Sequence, residues 1–178
     1  QDAQTFTSVY GPAEIRTSAI RWRIEDGRWF SLHLPAGWEF QSEEDPEQFT
    51  MASSPNLAAF LQEQSQDRPH IATTGVLFRG VFVGYASSQN RYRFGELLRR
   101  LLKSETIDNC REHEPTVIFP EDNLFGFAGL MRFYSCDNGY QIIDTIAIRR
   151  VSTARAAIVR VVGTRAEMQY LIHIPDSV

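Results

Sequence analysis

Apolar and polar positions alternate with the period of a β-strand early in the chain. Ile20, Trp22 and Ile24 alternate with Arg21 and Arg23, Asp26-Gly27 supplies a turn, and Phe30, Leu32 and Leu34 return with Ser31 and His33 between them. This pattern predicts a hairpin. Pro35 removes a ladder donor and Gly37 permits a turn, so the strand ends there and Trp38 and Phe40 begin a new direction. Residues 42 to 56 (SEEDPEQFTMASSPN) are polar and punctuated and read as irregular, and Leu57, Phe60 and Leu61 form a short apolar patch that suits a helical turn or a fragment of strand. The stretch TTGVLFRGVFVGY, ending at Tyr85, reads as strand, with close backbone approach at Gly75, Gly80 and Gly84.

The period then changes. In RYRFGELLRRLLKSET, Phe94, Leu97, Leu98, Leu101 and Leu102 fall at i, i+3, i+4, i+7 and i+8, with Glu96, Arg99, Arg100 and Lys103 on the other side. The spacing predicts an amphipathic helix over residues 91 to 104, lying on a sheet. A short strand at 116 to 119, a Pro-Glu-Asp-Asn loop and three strands near 125 to 135, 140 to 150 and 155 to 162 follow. TRAE at 164 to 167 has the capping-box pattern and predicts a closing helix through Met168, Leu171 and Ile172, stopped at Pro175. The expected fold class is therefore α+β, an antiparallel β-sheet flanked by helices in an α/β/α sandwich. Residues 1–17 are expected as an N-terminal extended arm and 18–178 as a single domain.

Composition adds limits. A chain of 178 residues with 43% hydrophobic and 22% charged residues suits one domain with a core and a polar surface. A formal charge of -4 gives no electrostatic reason to expect nucleic acid, because binding phosphates requires a basic field. The apolar runs are strand-sized, too short to cross a bilayer, and no stretch has the layout of a signal peptide. Lys103 is the single lysine among the basic residues, which reads as coding bias from a GC-rich bacterial genome.

The two cysteines point to a compartment. Cys136 precedes Asp137-Asn138-Gly139, a strong hairpin signal, which places it near the tip of a two-stranded ribbon. Cys110 follows the predicted helix. A bridge would tie the helix exit to the ribbon tip, close about 25 residues and contribute about 3 to 4 kcal/mol in the loop-entropy model. An even, paired count implies an oxidising compartment, periplasmic or extracellular, with a removed signal peptide and room for a lipid anchor upstream of residue 1. Two free thiols are the alternative.

No G-x-S-x-G elbow, P-loop, H-E-x-x-H or C-x-x-C occurs, so no catalytic, cofactor-binding or metal-binding residues are assigned. Glu112-His113-Glu114 would turn His113 away from both carboxylates in an extended segment and reads as a charged surface stretch. His33, His70 and His173 read as ordinary surface or packing residues. The acidic run Glu43, Glu44, Asp45 and Glu47, close after Trp38 and Phe40, reads either as a solvated loop or as a protein-docking edge. Clustered carboxylates beside aromatics steer and then anchor a basic partner. Glu121 and Asp122, with Asn123, form a second such loop. Arg149, Arg150, Arg155 and Arg160 surround the last hairpin and suit either the exposed side of strands or an anionic ligand.

WFSLHLPAGW, the middle amphipathic helix, the run of antiparallel strands and the ending IPDSV together resemble the PsbP/Mog-type fold superfamily. In residue type the resemblance rests on FSLHLPAGW and IPDSV, and in order of elements it covers most of residues 18 to 178. That superfamily includes photosystem extrinsic subunits, a Ran-binding protein and bacterial exported proteins and lipoproteins. The resemblance implies an antiparallel sheet between helices, no catalytic centre, and action through binding partners. No member's functional motif is present, so no binding residues carry over.

The expected function is an exported, non-catalytic binding module that acts through a protein partner. Its sharper form is a periplasmic immunity protein that plugs the active site of a secreted toxin. The docking residues would be Trp38, Phe40, Glu43, Glu44, Asp45, Glu47, Glu121 and Asp122. The alternatives are a small exported hydrolase, with acid and base from scattered residues such as His113 and Asp144, and a small-ligand binding protein using the space between sheet and helix.

Overall fold

The computed structural model describes residues 3–7, 14–25, 28–35, 37–44, 48–83, 103, 105–124, 127–149 and 154–171. The predicted opening hairpin forms from β2 (Glu14–Glu25) and β3 (Arg28–Pro35), with Ile20 opposite Leu32 and Trp22 opposite Phe30. β1 (Ala3–Thr7) runs antiparallel to β2, which makes a three-stranded sheet. The chain then reverses as the sequence predicts. The Trp38 amide donates to the Pro35 carbonyl at 3.5 Å, and Gly37 has φ 86°, a left-handed conformation that favours glycine.

The second sheet has seven strands. They are β4 (Glu39–Glu44), β5 (Gln48–Ser54), β6 (Gly75–Val83), β7 (Cys110–Leu124), β8 (Phe127–Cys136), β9 (Tyr140–Arg149) and β10 (Ala154–Thr164). Their order is β4-β5-β6-β10-β9-β8-β7, antiparallel throughout. The helical content is α1 (Leu57–Gln64) and a single turn, α2 (Met168–Leu171).

The expected α/β/α sandwich is therefore corrected. The described structure is mostly one antiparallel sheet carrying a single short helix, α1, together with the closing turn. The helix predicted over 91 to 104 lies outside the described residues apart from Lys103, and the closing helix is described only to Leu171. Residues 42 to 56, read as irregular, instead supply most of a β4–β5 hairpin and the cap of α1. The reason is visible at Ser53 and Ser54. Both are fully buried, and their hydroxyls donate to the Glu39 carbonyl at 2.8 Å and the Thr74 carbonyl at 2.6 Å. Satisfied polar groups can sit in a core, so a strand that buries them lacks an apolar signature.

Both faces of the sheet bury apolar side chains. On one, Ala52, Leu77, Val162, Ile142 and Tyr134 pack with Phe60 of α1 and with Ile71 and Ile107. Asn56 caps α1, its Oδ1 accepting from the Ala59 amide at 3.4 Å. Phe60 comes so close to β6 that a Cβ on Gly75 would lie 2.5 Å from its ring, so only glycine fits there. On the opposite face Met51, Val76, Phe78, Val159 and Val161 are buried, and Leu171 of α2 packs over Gly163.

The expected disulfide is present, but between neighbouring strands. Cys110 opens β7 and stands directly opposite Cys136, the last residue of β8, and the two are bridged. This end of the sheet also holds the loop between α1 and β6. The Asn109 carboxamide accepts from the Ile71 amide at 2.9 Å and donates to the Ile71 carbonyl at 3.0 Å, and Asn138 Nδ2 donates to the same carbonyl at 2.6 Å. No helix among the described residues is long and apolar enough to cross a membrane.

Candidate functional site

β4 is an edge strand: it pairs with β5 on one side, and no described strand pairs with the other. Every residue from 39 to 43 is exposed, and Trp38, at the turn before the strand, is half-buried. Phe40, at 45% exposure, is the one exposed large hydrophobic among the described side chains. Glu39, Gln41 and Glu43 are in register with Ser54, Ala52 and Thr50 and so share the face that carries α1, while Phe40 is in register with Ser53 on the other face. The edge thus offers a row of backbone donors and acceptors, two carboxylates on one side and an aromatic ring on the other.

Charges on edge strands commonly protect against edge-to-edge aggregation, and Glu39 and Glu43 would serve that end alone. Phe40 works against it, because an exposed aromatic on an edge strand is what such protection removes. The carboxylates also set one edge against a second copy of itself, since like charges brought opposite each other repel.

The remaining predicted docking residues fall elsewhere. Glu44 lies in β4, in register with Phe49, and not in a loop. Asp45 and Glu47 lie outside the described residues. Glu121 and Asp122 lie in β7, the opposite edge strand, where the pairing with β8 is irregular between Phe119 and Leu124. The two acidic groups therefore occupy the two edges of one sheet and do not converge.

A second constellation is buried beneath the end of α1. Arg160, Asp144 and Arg132 stand in direct register across β10, β9 and β8, with 3%, 0% and 4% exposure. Arg160 Nε and Nη2 donate to the two Asp144 oxygens at 2.8 and 2.9 Å, a bidentate fork, and Arg132 Nη2 lies 3.9 Å from the same carboxylate. Arg160 Nη1 donates to Glu105 Oε2 at 2.9 Å and to Gln64 Oε1 at 3.2 Å. Burial alone would lower the Arg160 pKa, but Asp144 and then Glu105 outweigh it and hold the guanidinium above its ordinary value. Arg160 is a hub that joins β9, the loop at Glu105 and the last residue of α1.

An open cleft of about 570 Å³ lies over this hub, lined by Gln64, Gln66, Asp67, Arg68, Lys103, Glu105 and Thr106. Its described lining residues are all polar or charged, and two of its charges are engaged: Glu105 by Arg160, and Arg68 by Asp108 at 3.2 Å. Beside the Arg160 hub, a void bounded by Leu77, Arg79, Glu105, Ile158 and Arg160 measures about 10 Å³, the lower limit for one water. Between the sheet and α1, Phe60 packs with Ala52, Leu77 and Val162.

His113 and Asp144 are not brought together. His113 is in register with Phe133, which is in register with Ile143, so the histidine lies on the face opposite Asp144. Its Nε2 meets Ser135 Oγ, while Asp144 is engaged by Arg160. Sequence reasoning placed Arg160 on the exposed side of a strand or at an anionic ligand. A signal for its buried role was present, because Arg160 and Asp144 each interrupt an otherwise apolar strand, in AAIVRVV and QIIDTIAI.

No protein-family model matches the chain, and comparisons with curated proteins and with solved structures find no match.

Proposed function

We propose that this protein is an exported binding module that acts through a protein partner, with the outer edge of β4 as its contact. The observation that carries the proposal is Phe40, exposed near the start of an edge strand whose outer side no described strand pairs, with Glu39 and Glu43 on the same strand. An exposed aromatic supplies apolar area at the centre of a contact, and the carboxylates around it steer a basic partner. The Cys110–Cys136 bridge supports an oxidising compartment, periplasmic or extracellular. In its sharper form the protein is an immunity protein, its acidic edge occupying the basic active site of a secreted toxin.

The test is affinity capture from the native secreted fraction with the wild-type protein and a Phe40→Ser/Glu43→Lys variant side by side. A protein retained by the wild type, lost on the variant, and bound again after purification supports the proposal. A partner retained equally by both overturns the assignment of the surface.

A further inference from the structure

We infer that the partner binds by strand addition, laying an extended segment antiparallel along β4 as an eighth strand. This rests on the proposed role of the β4 edge and specifies its recognition mode. Strand addition needs an accessible row of unpaired backbone groups, and among the described residues the outer edge of β4 is such a row, exposed from 39 to 43. The antiparallel direction follows from the sheet, whose six pairings are all antiparallel, and from the greater stability of that ladder.

The register of β4 then specifies the segment. Side chains alternate between faces, so partner residues opposite Glu43 and Glu39 share the α1 face and lie four positions apart, and the residue opposite Phe40 lies on the other face. Read from the partner's N-terminus, the order is a basic residue opposite Glu43, a free position opposite Ser42, a polar residue opposite Gln41, an apolar residue opposite Phe40, and a second basic residue opposite Glu39. Charge complementarity selects this occupant over a second copy of the chain, because two β4 edges would bring Glu39 and Glu43 toward the same residues of the copy. A parallel segment would need the reverse order, with the apolar residue next to the first basic one.

The test uses three synthetic peptides: Thr-Arg-Thr-Gln-Ile-Arg-Thr, the same peptide with its sequence reversed, and the first peptide N-methylated at alternate backbone amides that would face β4. Binding is read by fluorescence anisotropy, and hydrogen exchange of the β4 amides is followed in the bound state. The first peptide should bind and protect amides within residues 39 to 44, at least about tenfold more tightly than the reversed peptide, and Glu43→Lys should weaken it by a similar factor. N-methylation should abolish binding, since it removes main-chain donors while keeping both charges. Equal binding of the N-methylated peptide, or binding without β4 protection, overturns strand addition, and equal or tighter binding of the reversed peptide overturns the antiparallel direction. If none of the peptides binds while a captured protein partner still depends on Phe40 and Glu43, strand addition fails and the surface assignment stands. If the captured partner is also indifferent to both residues, both fail.

Discussion

Arg160 and Asp144 face each other across β10 and β9, and the guanidinium holds both carboxylate oxygens in a site with almost no solvent. The pair is neutral as a unit and expensive to break. Asp144→Ala leaves Arg160 and Arg132 buried without the carboxylate between them and is expected to cost about 3 to 5 kcal/mol. Arg160→Met is expected to cost less, because Asp144 keeps Arg132 nearby and the half-exposed Glu105 can turn to water. Urea denaturation of the two variants checks the order. Equal losses would show that Arg132 and the exposure of Glu105 do not soften the loss of Arg160.

The bridge between Cys110 and Cys136 spans a sequence separation of 26 and should contribute about 3 to 4 kcal/mol through the unfolded chain. Alkylation of the denatured, unreduced protein should add no label, and reduction should lower the denaturation midpoint. Two labels without reductant would contradict the pairing.

Asn109 satisfies both backbone groups of Ile71 with one side chain. In Asn109→Ala the Ile71 carbonyl keeps Asn138, but its buried amide loses its acceptor, at a cost of about 1 to 3 kcal/mol. Thermal unfolding of the variant measures this, with Gln66→Ala, on the exposed part of the same loop, as the control expected near the parent.

Tyr134 is buried in the core on the α1 face of the sheet. Burial, and then the charge of Asp144, raise its pKa above the ordinary value of 10.0. A raised pKa in the folded state means that its contribution is complete below about pH 10 and is lost as pH rises through the folded value. Its hydroxyl has no hydrogen-bond partner among the described residues, so Tyr134→Phe should change stability by less than about 1 kcal/mol at neutral pH. The variant should lose less stability than the wild type between about pH 9 and pH 11. Parallel curves for the two proteins would contradict this.

The sequence showed the parts of the fold that follow a period of two. The hairpin pairing Trp22 with Phe30, the turn at Asp137 to Gly139 and the last three strands were all legible from alternation and turn chemistry. β5 was not, because Ser53 and Ser54 are buried with their hydroxyls bonded to backbone, and no apolar pattern announces such a strand. β7 was read only over 116 to 119, since its first residues, Cys110 to Glu114, are polar edge positions. Trp38, Phe40 and the carboxylates after them were legible as neighbours. That they lie along an edge was not, because an edge is defined by the strands that pair, and the partners of β4 and β5 lie both near and far in the chain.

The proposed docking site of the protein partner is the β4 edge, with Glu39 and Glu43 as its charges. Exposed charges act over about 8 to 10 Å at physiological salt, so they govern the rate of encounter more than the strength of the final contact. The most direct measurement is the association rate of the captured, purified partner with the wild-type protein and with Glu39→Lys/Glu43→Lys, at low and at physiological salt. The predicted result is association at least about tenfold slower for the variant at low salt, a difference that shrinks as salt rises, and a melting temperature close to the parent's. An association rate unchanged by the double charge reversal would contradict the claim and move the contact away from β4.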